Sequence, residues 1–252
     1  MQKTIFHSLV LLFFFSTGIT HAQVAFNTTG YDSTGTGGLD GGQPANWIGG
    51  IAPGSYTGSM DAMWFMDFNT ANESLLASTA DALTKGAALD YALAVGPRGW
   101  RFNAAVPDTG RYHGMDFGLI HLDEAAQLTI TLTALAPGLI PGMSFYLGWD
   151  TGSTWDRLAN YNNNGGTPVG TTGLTFLGNV AGTLGGSSIV YSTDTLAAGD
   201  YTLFIGGVAG IGVTAGQYSA SIVASPVPEP DTVWMLGLGM LVVMLRTLRR
   251  RN

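Results

Sequence analysis

The sequence contains no cysteine, which removes disulfide scaffolds, cysteine-ligated zinc, iron–sulfur clusters and thiol nucleophiles together. Charge is scarce as well: only 11% of the 252 residues are charged, against about 25% in an average globular domain. Basic residues number 10 against 17 acidic, and along the chain they are scattered or terminal. A nucleic-acid surface needs clustered Lys and Arg, so that class is excluded. Glycine is abundant instead, with 37 residues, but in no three-residue period, which excludes collagen. A 46% hydrophobic content, rich in aromatics, excludes charge-driven disorder and supplies ample core.

Both ends read as addresses. Met1 to Ala22 has Lys3 at its start, an apolar stretch from Ile5 to Phe15, and small residues in Thr20-His21-Ala22. That is the pattern of a secretory signal cut by signal peptidase, so the mature chain is expected to begin at Gln23. At the other end, Ser225-Pro226-Val227-Pro228-Glu229-Pro230 cannot be helical, because each proline restricts itself and its predecessor. Val233 to Leu245 follows without a charge, then Arg246, Arg249, Arg250 and Arg251. Those 13 residues span only about 20 Å as a helix, against about 30 Å of hydrocarbon, so the expected transmembrane helix is a marginal anchor. The arginines place this terminus on the cytoplasmic side and the body outside.

The succession Val227-Pro228-Glu229-Pro230, apolar segment and terminal arginines resembles the PEP-CTERM sorting signal of Gram-negative envelope proteins. That resemblance covers 226–252. It implies a transient inner-membrane anchor, processing by an exosortase-like membrane enzyme, and passage to the cell surface or an extracellular polysaccharide matrix.

The chain thus divides into a signal peptide (1–22), an exported body (23–225) and a sorting signal (226–252). The body holds 15 acidic and 5 basic residues, a net charge of −10. Gln127 to Thr133 alternates Leu128, Ile130 and Leu132 with polar residues, and Tyr201–Ile205 and Gln217–Val223 are comparable strands. Further strands are expected at 62–68, 88–95, 112–120, 143–149, 174–177 and 188–191. Nine short strands between glycine-rich turns predict an all-β fold, a jelly-roll-like β-sandwich. Helical spacing of Leu75, Leu76, Ala80 and Leu83 behind Asn72 predicts one short helix in 73–85. Residues 23–58 read as an irregular, loop-rich lead-in. The run Ala197-Ala198-Gly199-Asp200-Tyr201, with Gly216 to Ile222, resembles the end of bacterial pre-peptidase C-terminal domains, which are jelly-roll-like sandwiches attached to exported proteins.

Candidate chemistry is sparse. His113 and His121 are the two histidines left after signal removal, and eight positions apart they share one face of an unbroken strand. A bend at Gly114 or Gly118 would be needed to bring them to one metal. With Trp100 upstream, this region is similar to secreted copper(I)-binding proteins of methanotrophs, in which two histidines act with an oxidised tryptophan. Trp100 is followed by Arg101-Phe102, however, and lacks that family's Trp-X-His spacing. No Gly-X-Ser-X-Gly elbow points to a serine-hydrolase triad, while Asp61, Asp67, Asp150 and Asp156 could supply paired carboxylates for a glycosidase. Calcium could be held in 32–40 or 150–156. Trp47, Trp64, Trp100, Trp149 and Trp155, with Tyr146 and Tyr161, suggest a sugar platform, and Trp149 and Trp155 are the pair expected to be exposed.

These observations favour a non-enzymatic, exported surface or matrix protein without a cofactor. Its expected partners are signal peptidase, an exosortase-like enzyme and extracellular polysaccharide. A copper(I)-binding protein and a glycan-active enzyme are the alternatives.

Overall fold

The structure is a computed structural model describing residues 22–28, 46–60, 62–87, 93–102, 105, 108–111, 114–152, 160–165, 171–208, 214–227 and 246. In chain order the strands are β1 (Gln23–Asn27), β2 (Trp47–Ile48), β3 (Ala62–Phe68), β4 (Ser74–Ser78), β5 (Ala94–Val95), β6 (Thr109–Arg111) and β7 (Met115–Leu122). They continue as β8 (Ala126–Ala134), β9 (Pro141–Leu147), β10 (Asn160–Asn162), β11 (Thr175–Ala181), β12 (Ser188–Ser192), β13 (Gly199–Gly207) and β14 (Gly216–Pro226). A single short helix, α1 (Thr79–Thr84), follows β4.

Two sheets face one another. The larger runs β11-β9-β13-β7-β3-β1-β2 and the smaller β12-β8-β14-β4, with β5 joined to the start of β14. Pairing is antiparallel except between β3 and β7. The β-sandwich read from the alternation is therefore the fold. β8 behaves as its pattern demands: Leu128, Ile130 and Leu132 are buried between the sheets and the threonines between them are not. From β14, Tyr218, Ala220 and Ile222 meet Phe26, Trp64, Met66, Phe145 and Leu203 of the larger sheet.

The larger sheet is buried on its outer face too. Met115, Phe117, Tyr146 and Phe204 pack there under Met60 and Trp100, and Phe65 and Leu119 pack under Trp149. A sheet covered on both faces needs apolar residues at successive positions rather than at alternate ones, which is why Ala62 to Phe68 reads as a nearly continuous apolar run.

Two expectations need correction. The lead-in is not wholly irregular: β1 pairs with β3 from Gln23 to Phe26 and buries Val24, Ala25 and Phe26. The short helix expected within 73–85 is present as α1, but it is confined to Thr79–Thr84 and a strand precedes it. Ser74 to Ser78 forms β4 against Ser219–Val223 of β14, and the helix starts only after Ser78, whose hydroxyl caps Asp81 N at 3.1 Å. Tertiary strand pairing overrides local helical spacing there. Asn72 is not the cap. The Glu73 carboxylate instead accepts from the backbone N–H groups of Asn69 and Thr70.

Strand registers define two poles. Leu122 of β7, Ala126 of β8, Gly199 of β13 and Pro226 of β14 lie at one, because Leu122 pairs with Gly199 and Ala126 with Pro226. Ala134, Pro141, Gly207 and Gly216 lie at the other. Among the described residues no helix is long and apolar enough to cross a membrane. Residues 1–21, within the expected signal peptide, and all of the C-terminal apolar segment from Val233 to Leu245 lie outside the described residues.

Candidate functional site

His121, the one described histidine of the body, stands on the outer face of β7 at the Pro226 pole. The registers put Gln23 of β1 beside Asp67 of β3, Asp67 beside His121, and His121 beside Asp200 of β13. Four polar side chains thus form one row across four adjacent strands. His121 Nδ1 lies 2.6 Å from Asp200 Oδ1 and Nε2 lies 3.2 Å from Asp123 Oδ1, so both ring nitrogens are engaged by carboxylates. Burial works to lower the histidine pKa, but Asp200, Asp123 and Asp67 together outweigh it and hold the pKa above the usual value. Asp67 is itself shifted upward, because burial outweighs its hydrogen bond to Gln23 and the attraction of His121.

Trp149 supports this row. Its ring centroid is 6.3 Å from that of His121, and its indole N–H donates to the carbonyls of Tyr201 at 3.0 Å and Ile120 at 3.2 Å. At 7% exposure it offers no flat face for a sugar, which corrects the expectation of an exposed stacking pair. Trp64, Trp100 and Tyr146 are buried as well, while Trp155 lies outside the described residues.

Asp150 is fully buried and wholly occupied. One oxygen accepts from the N–H and hydroxyl of Ser59 and the N–H of Met60, and the other from Gly152 N and Thr172 N. A carboxylate that ties three loops together through these groups is a structural knot, which corrects its candidacy as a catalytic acid or as a calcium ligand in 150–156. Asp61, Asp156 and 32–40 lie outside the described residues.

The copper candidates are divided. Trp100 is buried at the opposite pole, stacked where a side chain at Gly142 would otherwise stand, and its Nε1 donates to Ser144 Oγ at 3.1 Å. Gly142 pairs with Gly206 and His121 with Asp200, six positions along β13, so Trp100 and His121 are separated by about 20 Å. The bend considered at Gly118 does not occur: β7 pairs with β13 without interruption from Met115 to Leu122. Gly118 makes room for Trp64 instead, because a Cβ there would stand 2.1 Å from the indole. His113 lies outside the described residues, and no metal-holding group of three His, Asp or Glu side chains occurs among the described ones.

Sequence reading singled out His121 but missed Asp123, Asp200 and Gln23 as its company. Asp123 was within reach, since positions two apart share a strand face. Asp200 is 79 residues away and is brought there only by register. Chemically the row is a charge-holding clasp. Both ring nitrogens of His121 face carboxylates, and among the described residues no hydroxyl is hydrogen-bonded to it as a triad nucleophile would be.

Of the sorting residues, Val227 and Arg246 are described, Arg246 being exposed; Pro228, Glu229, Pro230, Arg249, Arg250 and Arg251 lie outside. The body is a β-sandwich whose last strand runs into the C-terminal signal. Residues 226–251 match the family model of the PEP-CTERM protein-sorting motif, so the chain carries an exosortase sorting signal, which implies export and transient membrane anchoring. No curated protein matches the chain. Among solved structures it is similar to CorA, a surface-associated copper-binding protein important in Methylomicrobium album BG8 copper acquisition, with 13% identity, a TM-score of 0.43, and coverage of 64% of this chain and 98% of that one. It is also similar to the pre-peptidase C-terminal domain of a Bacillus anthracis collagenase, with 12% identity, a TM-score of 0.26, and coverage of 63% and 91%.

Proposed function

We propose that the protein is a non-enzymatic β-sandwich that serves at the cell surface or in the extracellular polysaccharide matrix once an exosortase-type enzyme has acted on its C-terminal signal. The observation that carries this is the junction: β14 ends at Pro226, the first residue of the matched motif. The sorting signal is joined to a central strand of the smaller sheet with no intervening domain, so what is sorted is the sandwich itself. The occupied state of Asp150 and the two-sided capping of His121 support a body that binds or scaffolds rather than catalyses. The sandwich works without a resident metal.

Replacing Pro228, Glu229 and Pro230 by alanine should leave the chain in the membrane fraction with its arginine tail uncut, read by fractionation and mass spectrometry. Normal release of that variant would overturn the sorting mechanism. Metal analysis of the exported protein from its native host should find no stoichiometric copper. About one copper per chain, lost on His121→Ala, would replace this reading with a copper-carrying one.

A further inference from the structure

The exported body has five basic residues, and the fold gathers three of them at the pole opposite Pro226. Lys85 is paired with Asp81 at 3.2 Å, and Arg157 lies outside the described residues. Arg98, Arg101 and Arg111 come together because the N–H of Arg111 donates to the carbonyls of Arg98 at 3.0 Å and Gly99 at 2.9 Å. The guanidinium carbons of Arg98 and Arg111 stand 5.2 Å and 4.4 Å from the centroid of the same ring, Phe102. Both arginines are exposed, and among the described residues neither forms an ion pair.

Two cations that share one aromatic ring, with no ion pair among the described residues, repel each other, and in a body of net charge −10 nothing about bulk charge requires them to be adjacent. The ring orients both side chains, which lowers the entropy lost when their N–H forks engage a ligand. Beside them is a cavity of about 190 Å³ lined by Gly96, Pro97, Gly99 and Gly114 together with the two arginines. Its floor is tightly packed backbone: a Cβ on Gly99 would stand 2.2 Å from the Gly114 carbonyl oxygen, and Gly96 N donates to that same oxygen at 2.8 Å. Glycine is needed where these segments touch, and the result is a preformed recess whose charged groups are all cationic. It has room for one small ring rather than a drug-sized molecule.

We propose that this recess is a carboxylate-binding site that takes a uronic-acid unit of an acidic polysaccharide, with Arg98 and Arg111 on the carboxylate. Planar guanidinium forks match a carboxylate bidentately. Binding a polymer through single charged units also suits a body of net charge −10, which repels a polyanion in bulk while the exposed Arg98 and Arg111 attract one of its carboxylates locally. The polymer part rests on the surface or matrix role proposed above; the carboxylate part rests on the geometry alone.

The test is calorimetric titration of the mature exported protein with trigalacturonate, a neutral glucose trisaccharide and inorganic phosphate. Trigalacturonate should bind at least tenfold tighter than either of the others, with affinity falling as salt rises. Arg98→Gln with Arg111→Gln should lower its affinity at least tenfold at an unchanged thermal midpoint, and Arg98→Lys with Arg111→Lys should restore only part of it. Equal binding of the neutral sugar, equal binding of phosphate, or indifference to the glutamine pair would each overturn the assignment. Matrix location is scored separately in the native host: wild-type protein that stays in the matrix yet ignores trigalacturonate sinks this site alone, whereas wild-type protein absent from the matrix sinks the broader role.

Discussion

Asp116 shows what a single side chain can do to the whole. It is 1% exposed between the sheets, hydrogen-bonded to the Tyr218 hydroxyl, which in turn accepts from Trp64 Nε1 at 3.0 Å. Burial pushes its carboxyl up to about 8, against 3.8 when exposed, despite opposing hydrogen bonds from Tyr218 and the Ala94 backbone. Between those two pH values the folded chain holds a proton that the unfolded chain has released, so stability falls as pH rises across that window. Asp116→Asn keeps the shape without the charge. Urea unfolding should find it close to wild type at pH 4 and more stable at pH 8 by about 5 kcal/mol; a gap that fails to widen with pH would refute buried ionisation as the cause. His121 has the opposite sign, because its folded pKa is raised: its contribution is complete below the unfolded value of 6.5 and is lost as pH rises through the folded one. Its partners are about one-third to one-half exposed, so His121→Gln should cost only about 0.5 kcal/mol at pH 5.5 and almost nothing at pH 9. Neither behaviour could be read in advance. Asp116 sits in a run with Gly114 and Phe117 that says nothing of depth, and Tyr218 is a hundred positions on.

Elements were legible where one face meets solvent and the other the core. β8 and β14 do this, and their alternation located both. β3 and β7 do not, since each is buried on both faces; their apolar runs revealed strands but not which face met what. β1 and β4 were missed for different reasons: β1 is five residues long beside a glycine-rich stretch, and β4 carries adjacent leucines that imitate a helix. The parallel β3–β7 pair depends on a small residue at Gly118, with a register irregularity opposite it between Ala62 and Trp64. Gly118→Ala should therefore overpack the Trp64 site and destabilise the sandwich by about 2 to 3 kcal/mol, measured as a lower urea midpoint. A neutral result would show that the indole can move aside.

At the scale of the molecule, sequence located the C-terminal sorting signal and the fold class, while the arrangement of sites needed three-dimensional register. The candidate row is drawn from positions 23, 67, 121 and 200, and no local pattern joins them. Register also separates the sorting junction at one pole from the proposed arginine recess at the other. That separation has a mechanical consequence. When the chain is tethered through Pro226 while its far pole is gripped, tension runs along β14, and its ladder with β8 from Tyr218 to Pro226 and with β4 from Ser219 to Val223 is sheared all at once. Pulling instead between Pro226 and Ser192, at the same pole on edge strand β12, would peel that strand from β8 one pair at a time. Optical-tweezer traces at one loading rate should show the Ala136-to-Pro226 axis yielding at clearly higher force than the Ser192-to-Pro226 axis, a difference in unfolding rate under load rather than in equilibrium stability. A body so built, if it holds matrix material at the far pole as proposed, would resist drag along that axis and give way when wrenched sideways.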